Sequence, residues 1–177
     1  MTSPSERFTD LFERTHAALL AYAVRRVAEP RDAADVIAET YLIAWRRLDQ
    51  VPGGDSDRPW LFGVARKVLS NHNRGARRRE AMVNRLRADL NDVTPPPAEP
   101  SELGRALTHL NADDRELLLL LAWDGLSQEQ AAVALGISHN ALRVRLHRAR
   151  NRLRTFISDD QRELSDPPAL AEGMPNA

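Results

Sequence analysis

The chain has 177 residues, with 25 Lys plus Arg against 25 Asp plus Glu, no cysteine, 42% apolar, 28% charged and 5% aromatic residues. That length allows one domain or two small ones, and the apolar content excludes a wholly disordered chain. The absence of cysteine excludes a disulfide scaffold, a thiolate zinc site and a cysteine nucleophile.

The basic side is lopsided: 24 of the 25 cations are arginine, Lys67 being the single lysine. Arginine is the better ligand for phosphates and base edges. The N-terminal MTSPSERFTDLFERTH lacks the apolar h-region of a signal peptide, and no stretch approaches the roughly 18 uninterrupted apolar residues of a membrane span. The expectation is a soluble cytoplasmic protein without membrane insertion.

Apolar residues recur at helical spacing and strand signals are nearly absent, which predicts an all-α fold. A first helix runs from about Arg7 to Val27, with Phe8, Leu11, Phe12, Leu19, Tyr22 and Val24 as its apolar positions. Pro30 restarts the chain, because proline is tolerated in a first helical turn. A second helix from about Arg31 to Leu48 sets Ile37, Tyr41, Ala44, Trp45 and Leu48 on one side. VPGGDSDRP breaks it with two prolines and two glycines. A third helix begins at Asp57 to Trp60 and turns strongly basic through Arg87, with Gly75 a point of fraying in its later half.

Residues 91–101, NDVTPPPAEPS, hold four prolines among small and acidic residues and read as a semi-extended spacer between two small helical domains. The expected division is 1–88, a linker at 89–101, a second domain at 102–157 and a loose tail at 158–177. Four segments build the second domain: Ser101 to Leu110, Ala112 to Trp123, Gln128 to Leu135, and His139 to about Ile157.

In LSQEQAAVALGISHNALRVRLHRARNRLR, Ser127 can cap a helix with Gln130 as its capping-box partner. Gly136 ends that helix, and Ser138 caps the next after only Gly136, Ile137 and Ser138. This is a helix-turn-helix pattern. On a wheel of the last helix, Leu142, Leu146, Ala149 and Leu153 form one stripe, with Asn140, Val144, His147, Arg148 and Asn151 opposite. Arg143, Arg145, Arg150, Arg152 and Arg154 flank it, and no acid interrupts His139 to Arg154. A major groove admits one such helix, whose outward donors read bases while flanking arginines hold phosphates. A solvated arginine-rich helix packing on its neighbours is the plain alternative, and the capped, Gly-punctuated partner in front favours DNA. Asp113 and Asp114, at a helix start, are read as capping and dipole compensation.

A second basic region, Arg66, Lys67, Arg74, Arg77, Arg78, Arg79, Arg85 and Arg87, sets eight cations against one acid, Glu80, a local charge of +7. Beside Trp60, Phe62 and the loop from Gly53 to Arg58, it fits single-stranded nucleic acid. Composition alone leaves that reading level with a solvated face and a core Trp60. Asp32, Asp35 and Glu39 cluster without the Glu-x-x-His pair of a helical metal site, so no metal is expected. There is no phosphate loop, no G-x-S-x-G elbow and no H-E-x-x-H, so neither catalytic residues nor a cofactor is expected.

DAADVIAETYLIAWRRL, then DRPWLFGVARKVLSNHNRGARRR, the Pro-rich spacer and LNADDRELLLLLAWDGLSQEQAAVALGISHNALRVRLHRARNRLR together resemble the extracytoplasmic-function sigma factors of the bacterial sigma-70 family. The resemblance covers roughly residues 7 to 157 in three blocks. It implies a promoter-specificity subunit: the N-terminal domain would bind core RNA polymerase and capture the opened minus 10 element, and the C-terminal domain would read the minus 35 element. Asp32, Asp35, Glu39 and Leu42 would dock on the clamp helices of the beta-prime subunit, with Tyr41 and Trp45 left in the core. Trp60, Arg66, Lys67, Asn71 and Arg74, with the Gly53 to Arg58 loop, would hold the minus 10 strand, a flipped base included. The matching base-contact positions are Arg143, Val144, His147 and Arg148, beside Asn140 on the same exposed face, with Arg145 and Arg150 as phosphate or packing residues.

Three departures from the family pattern bear on promoter sequence and core contact: Lys67 and Asn71 replace the usual Arg and Asp, Ala38 stands where glutamine precedes Glu39, and the recognition helix opens with SHNALR. An anti-sigma factor, or packing of one domain on the other, would hold the two domains until a signal frees them. The rival from another class is a polymerase-independent helix-turn-helix regulator with an N-terminal sensor or dimerisation domain.

Overall fold

The computed structural model describes residues 3–87 and 102–165, with the backbone alone at 76–87, 102 and 159–165. The spacer at 89–101 and the last twelve residues lie outside the described residues. Seven α-helices follow in order: α1 (Pro4–Val24), α2 (Pro30–Arg46), α3 (Asp57–Arg87), α4 (Glu102–Thr108), α5 (Ala112–Ala122), α6 (Gln128–Leu135) and α7 (His139–Ser165). Single 3-10 turns at Leu48–Gln50 and Gly54–Ser56 join α2 to α3. No strand occurs among the described residues.

α1 starts three residues earlier than its apolar spacing predicts. Ser3 and Glu6 form a reciprocal capping box, the Ser3 amide donating to Glu6 Oε2 at 2.7 Å and the Glu6 amide to Ser3 Oγ at 3.2 Å, and Pro4 fits the first turn. The Ser3 amide and hydroxyl hold the Glu6 carboxyl below its ordinary range.

α1, α2 and α3 pack around Leu11, Leu19, Tyr22, Val36, Ile37, Tyr41, Leu61 and Phe62. Two threonines complete this interior: Thr15 Oγ1 donates to the Leu11 carbonyl and lies 2.7 Å from Tyr41 Oη, and Thr40 Oγ1 donates to the Val36 carbonyl. Trp45, expected in the core, is 46% exposed. The buried stripe of α2 runs through Ala33, Val36, Ile37, Thr40, Tyr41 and Ala44. Trp45 lies about 100° beyond Ala44 on the helix, at the stripe's edge, where the Phe8 ring meets it edge to face at 5.1 Å. Phe12 and Val24 are likewise 38% and 48% exposed, the core positions beside them falling to Leu11 and Ala23.

α3 continues unbroken past Gly75 to Arg87. α7 also outruns the expected end near Ile157: the chain from 158 to 165, read as loose tail, is helical. No proline or glycine interrupts it before Pro167, and Gln161, Arg162, Glu163 and Leu164 are good helix formers.

The helices after the spacer share a buried cluster with those before it. The buried cluster runs without a break from Leu11 through Leu69 to Leu117, Leu120, Leu126, Ala131, Leu135, Leu142 and Leu146. The crossing is made by α6 on α3, where Gly63 meets Ala134 so closely that a Cβ at 63 would stand 3.2 Å from the Ala134 carbonyl oxygen.

Candidate nucleic-acid and polymerase interfaces

The helix-turn-helix is built as its sequence dictates. The Gln130 amide donates to Ser127 Oγ at 3.2 Å and Gln130 Oε1 accepts from the Ser127 amide at 3.0 Å, fixing the start of α6. Gly136, at φ 67°, takes the left-handed conformation, and the Ile137 amide then closes on the Ala132 carbonyl at 3.1 Å. Ser138 Oγ accepts from the Ala141 amide and starts α7. Glu129 Oε1 reaches His139 Nε2 at 3.4 Å across the turn, and the Glu129 carboxyl is held below its ordinary range by its own backbone amide and the Ser127 hydroxyl.

Leu142, Leu146 and Ala149 are buried and Leu153 half-buried, so α7 seats on the stripe its spacing defines. Asn140, Arg143, Val144, His147 and Arg148 all face solvent, and His147 Nε2 lies 3.1 Å from Asn151 Nδ2. Among the described residues neither Arg143 nor Arg148 forms an ion pair, and both side chains are exposed to an incoming acceptor. Arg150 is exposed too, whereas Arg145 leans toward Asp113 and Asp114, at 3.9 Å from each.

The two aspartates do more than the helix-start reading assigns. Asn111 is the actual cap of α5, its Oδ1 accepting from the Asp114 amide at 2.8 Å. Asp114 is buried and accepts from Asn111 Nδ2 at 2.9 Å and from Arg152 Nη1 at 2.5 Å, which ties α5 to α7. The acid thus orients the recognition helix. Nothing local in the sequence marks this, because the partner lies 38 residues away.

On α3, Lys67, Asn71 and Arg74 are exposed, and Trp60 and Arg66 are half-buried. Trp60, Arg66, Lys67 and Asn71 line one groove of about 450 Å³ together with Glu39, Ile43, Arg46 and Arg47, closed on the far side by Val133 to Gly136 of α6. Arg74 opens onto an adjoining cleft with Arg66, Lys67 and Asn71, and donates to Asn71 Oδ1. Arg66 is engaged, its Nη2 lying 3.2 Å from Asp113. Gly53 and Gly54, at φ 81° and 59°, supply the turn that leads into α3. Asp57 at its start is buried against Arg14 Nη2 at 2.7 Å.

On α2, Asp35, Glu39 and Leu42 lie four and three residues apart on one exposed face. Asp32 is half-buried and approaches His72 at 3.8 Å. Among the described residues no group of three or more His, Asp or Glu side chains is placed to hold a metal ion, and no helix is long and apolar enough to cross a membrane.

Residues 11–79 match the family model for sigma-70 region 2, and residues 101–153 the model for sigma-70 region 4. The chain is 31% identical over 157 residues to the ECF RNA polymerase sigma factor SigL of Mycobacterium tuberculosis, covering 84% of this chain and 88% of that one. It is 32% identical over 163 residues to the RNA polymerase sigma factor CnrH of Cupriavidus metallidurans, covering 82% and 84%. Among solved structures, CnrH in complex with the cytosolic domain of CnrY superposes with a TM-score of 0.60 at 28% identity, over 86% of this chain and 88% of that one. The sigma factor RpoE in complex with the anti-sigma factor NepR, from Bartonella quintana, gives 0.58 at 26%, over 85% and 96%. A helix-turn-helix with a free arginine face, behind a three-helix unit with its own basic groove, and these likenesses along both halves lead to one conclusion: the chain belongs to the extracytoplasmic-function sigma factors of the sigma-70 family.

Proposed function

We propose that this protein is the promoter-specificity subunit of a bacterial RNA polymerase: it binds the core enzyme, directs it to promoters carrying minus 35 and minus 10 elements, and helps open the DNA. The observation that carries the reading is the recognition helix, whose Asn140, Arg143, Val144, His147 and Arg148 are exposed on the face opposite its buried leucines, without an ion pair among the described residues. These five residues read the minus 35 duplex through the major groove. Arg143 and Arg148 supply donors to base edges, Val144 offers an apolar contact to a thymine methyl, and Arg150 holds phosphate.

Trp60, Arg66, Lys67, Asn71 and Arg74 hold the opened minus 10 strand. The cations draw in the backbone, and the groove beside Trp60 takes an unstacked base, whose flipping costs a few kcal/mol that these contacts offset. Asp32, Asp35, Glu39 and Leu42 dock on the clamp helices of the beta-prime subunit. The polymerase supplies the catalysis, so the subunit needs neither metal nor cofactor and acts in the cytoplasm. Its working units are 1–88 and 102–157. An anti-sigma factor is a further partner, in line with the complexes of CnrH with CnrY and RpoE with NepR.

Run-off transcription on fragmented genomic DNA tests this directly, comparing bacterial core polymerase alone with core plus the purified chain. Discrete new transcripts are expected. Their absence, with sequence-specific DNA binding by the chain alone, would point to a polymerase-independent regulator.

A further inference from the structure

We infer that Asn151 is a positioning residue for base selection: it holds the His147 ring in the Nδ1–H tautomer, so that His147 meets the minus 35 duplex as a hydrogen-bond donor and selects a keto base over an amino base. The inference rests on the reading of α7 given above.

The helix itself builds the pair. Residues four apart share a face and side chains lean back toward the helix start, so Asn151 reaches over His147. Its Nδ2 lies 3.1 Å from His147 Nε2, and both residues are exposed. α7 runs on to Ser165, which leaves Asn151 in mid-helix, and Thr155 Oγ1 donates to its carbonyl at 3.1 Å.

Only one hydrogen-bond direction is open between these two atoms. An amide nitrogen donates and has no lone pair to offer, whereas a neutral imidazole has one donor and one acceptor nitrogen. Nε2 therefore accepts, and the ring proton sits on Nδ1. A carboxylate in place of the amide would do the reverse and draw the proton to Nε2. α7 offers none there: no Asp or Glu occurs from His139 to Arg154, and the next acid in the chain is Asp159. The acids that reach α7 from other helices meet other residues, Glu129 meeting His139, and Asp114 meeting Arg145 and Arg152.

The consequence for the base is a choice of sign. In the major groove guanine O6 and thymine O4 accept, while the exocyclic amines of adenine and cytosine donate. With Nε2 taken, Nδ1–H is the polar group His147 has left, and an amine set against it leaves two donors unpaired. The other tautomer would invert the preference. Arg143 and Arg148 have no such alternative, because a guanidinium only donates. At His147 alone, selection hangs on where one proton is held.

The test takes two readouts. Nitrogen NMR of the full chain, isotope-labelled at histidine and held at about pH 8.5, above the usual imidazole range, reports the tautomer. The His147 signals, assigned by their loss in His147→Leu, are expected to show a protonated Nδ1 and a bare Nε2, and Asn151→Leu to shift the ring toward the other form; leucine keeps the helix. In parallel, core polymerase carrying each variant selects from duplexes randomised through the minus 35 element. One position is expected to favour guanine or thymine over adenine and cytosine about tenfold in the wild type and about twofold or less in Asn151→Leu. In the His147→Leu background, Asn151→Leu should change nothing further at that position. A wild-type ring protonated on Nε2, or one on Nδ1 that ignores Asn151→Leu, overturns the inference. So does an Asn151→Leu effect of equal size with and without His147, which would make Asn151 a DNA ligand in its own right. If the tautomer and its dependence on Asn151 hold but His147→Leu leaves every preference unchanged, the assignment of His147 to the reading face is what fails, and the base selection falls with it.

Discussion

Arg148 and Arg150 stand two positions apart on α7, both exposed, and differ in the job their direction gives them. Arg148 lies with Val144 on the face opposite Leu142 and Leu146, the face proposed to read bases, and Arg150 lies on the flank. Arg148→Ala should therefore cost about 1–3 kcal/mol of discrimination at one minus 35 position. Arg150→Gln should leave the preferred sequence alone and flatten the salt dependence by about one unit of log–log slope. A binding selection with the polymerase-bound protein, repeated at two salt concentrations, separates the two outcomes. Residues of this kind are legible beforehand because a helix wheel needs only spacing. Asp114 is not: its ties to Arg145 and Arg152 exist only once α5 and α7 are packed, and the local pattern shows a helix-start acid and nothing more.

Among the elements, the helix-turn-helix is the one whose boundaries follow most closely from its letters, because each is set by a local device: Ser127 with Gln130, Gly136, and Ser138. Gly136→Val tests the middle device alone. A Cβ there meets open space, so the whole cost is the left-handed backbone at φ 67°, about 1–2 kcal/mol by denaturant unfolding. The start of α1 and the end of α7 were less visible. The start of α1 hangs on the Ser3 and Glu6 pair ahead of the first apolar residue, and α7 persists on propensity beyond its last core contact. α2 illustrates a different limit, since Trp45 shares the apolar spacing yet lands at the stripe's edge. The exposed side of the same helix carries its own prediction. Leu42→Arg should weaken binding to core polymerase about 10- to 100-fold, the loss expected for one buried leucine, without changing single-strand binding, as titration of labelled protein with core will read.

At the level of the whole molecule, two basic regions and a proline-rich spacer suggest two separate bodies, yet the buried cluster is continuous across both. Sequence spacing reports which face of a helix is apolar, not which neighbour covers it, and the contact of Gly63 with Ala134 is invisible until the chain is folded. Calorimetry of the free wild-type chain should accordingly show one cooperative transition, with matching calorimetric and van't Hoff enthalpies. Gly63→Leu should split it in two.

One dimension of α7 reaches further. At 27 residues the helix is about 40 Å long, while the reading positions Asn140 to Arg148 take up only about 12 Å of it, the width of a major groove. The helix is therefore a beam. Asp114 grips it near Arg145 and Arg152, and beyond that grip the stacked rings of His109 and Phe156, 4.6 Å apart, fasten its far section to the α4 side. Tilting the fastened section about the grip swings the reading end the opposite way, and a swing of about 1 Å already takes a 2.9 Å hydrogen bond out of range. On the proposed reading of α7, promoter preference is thus set in part at a ring stack that never approaches a base.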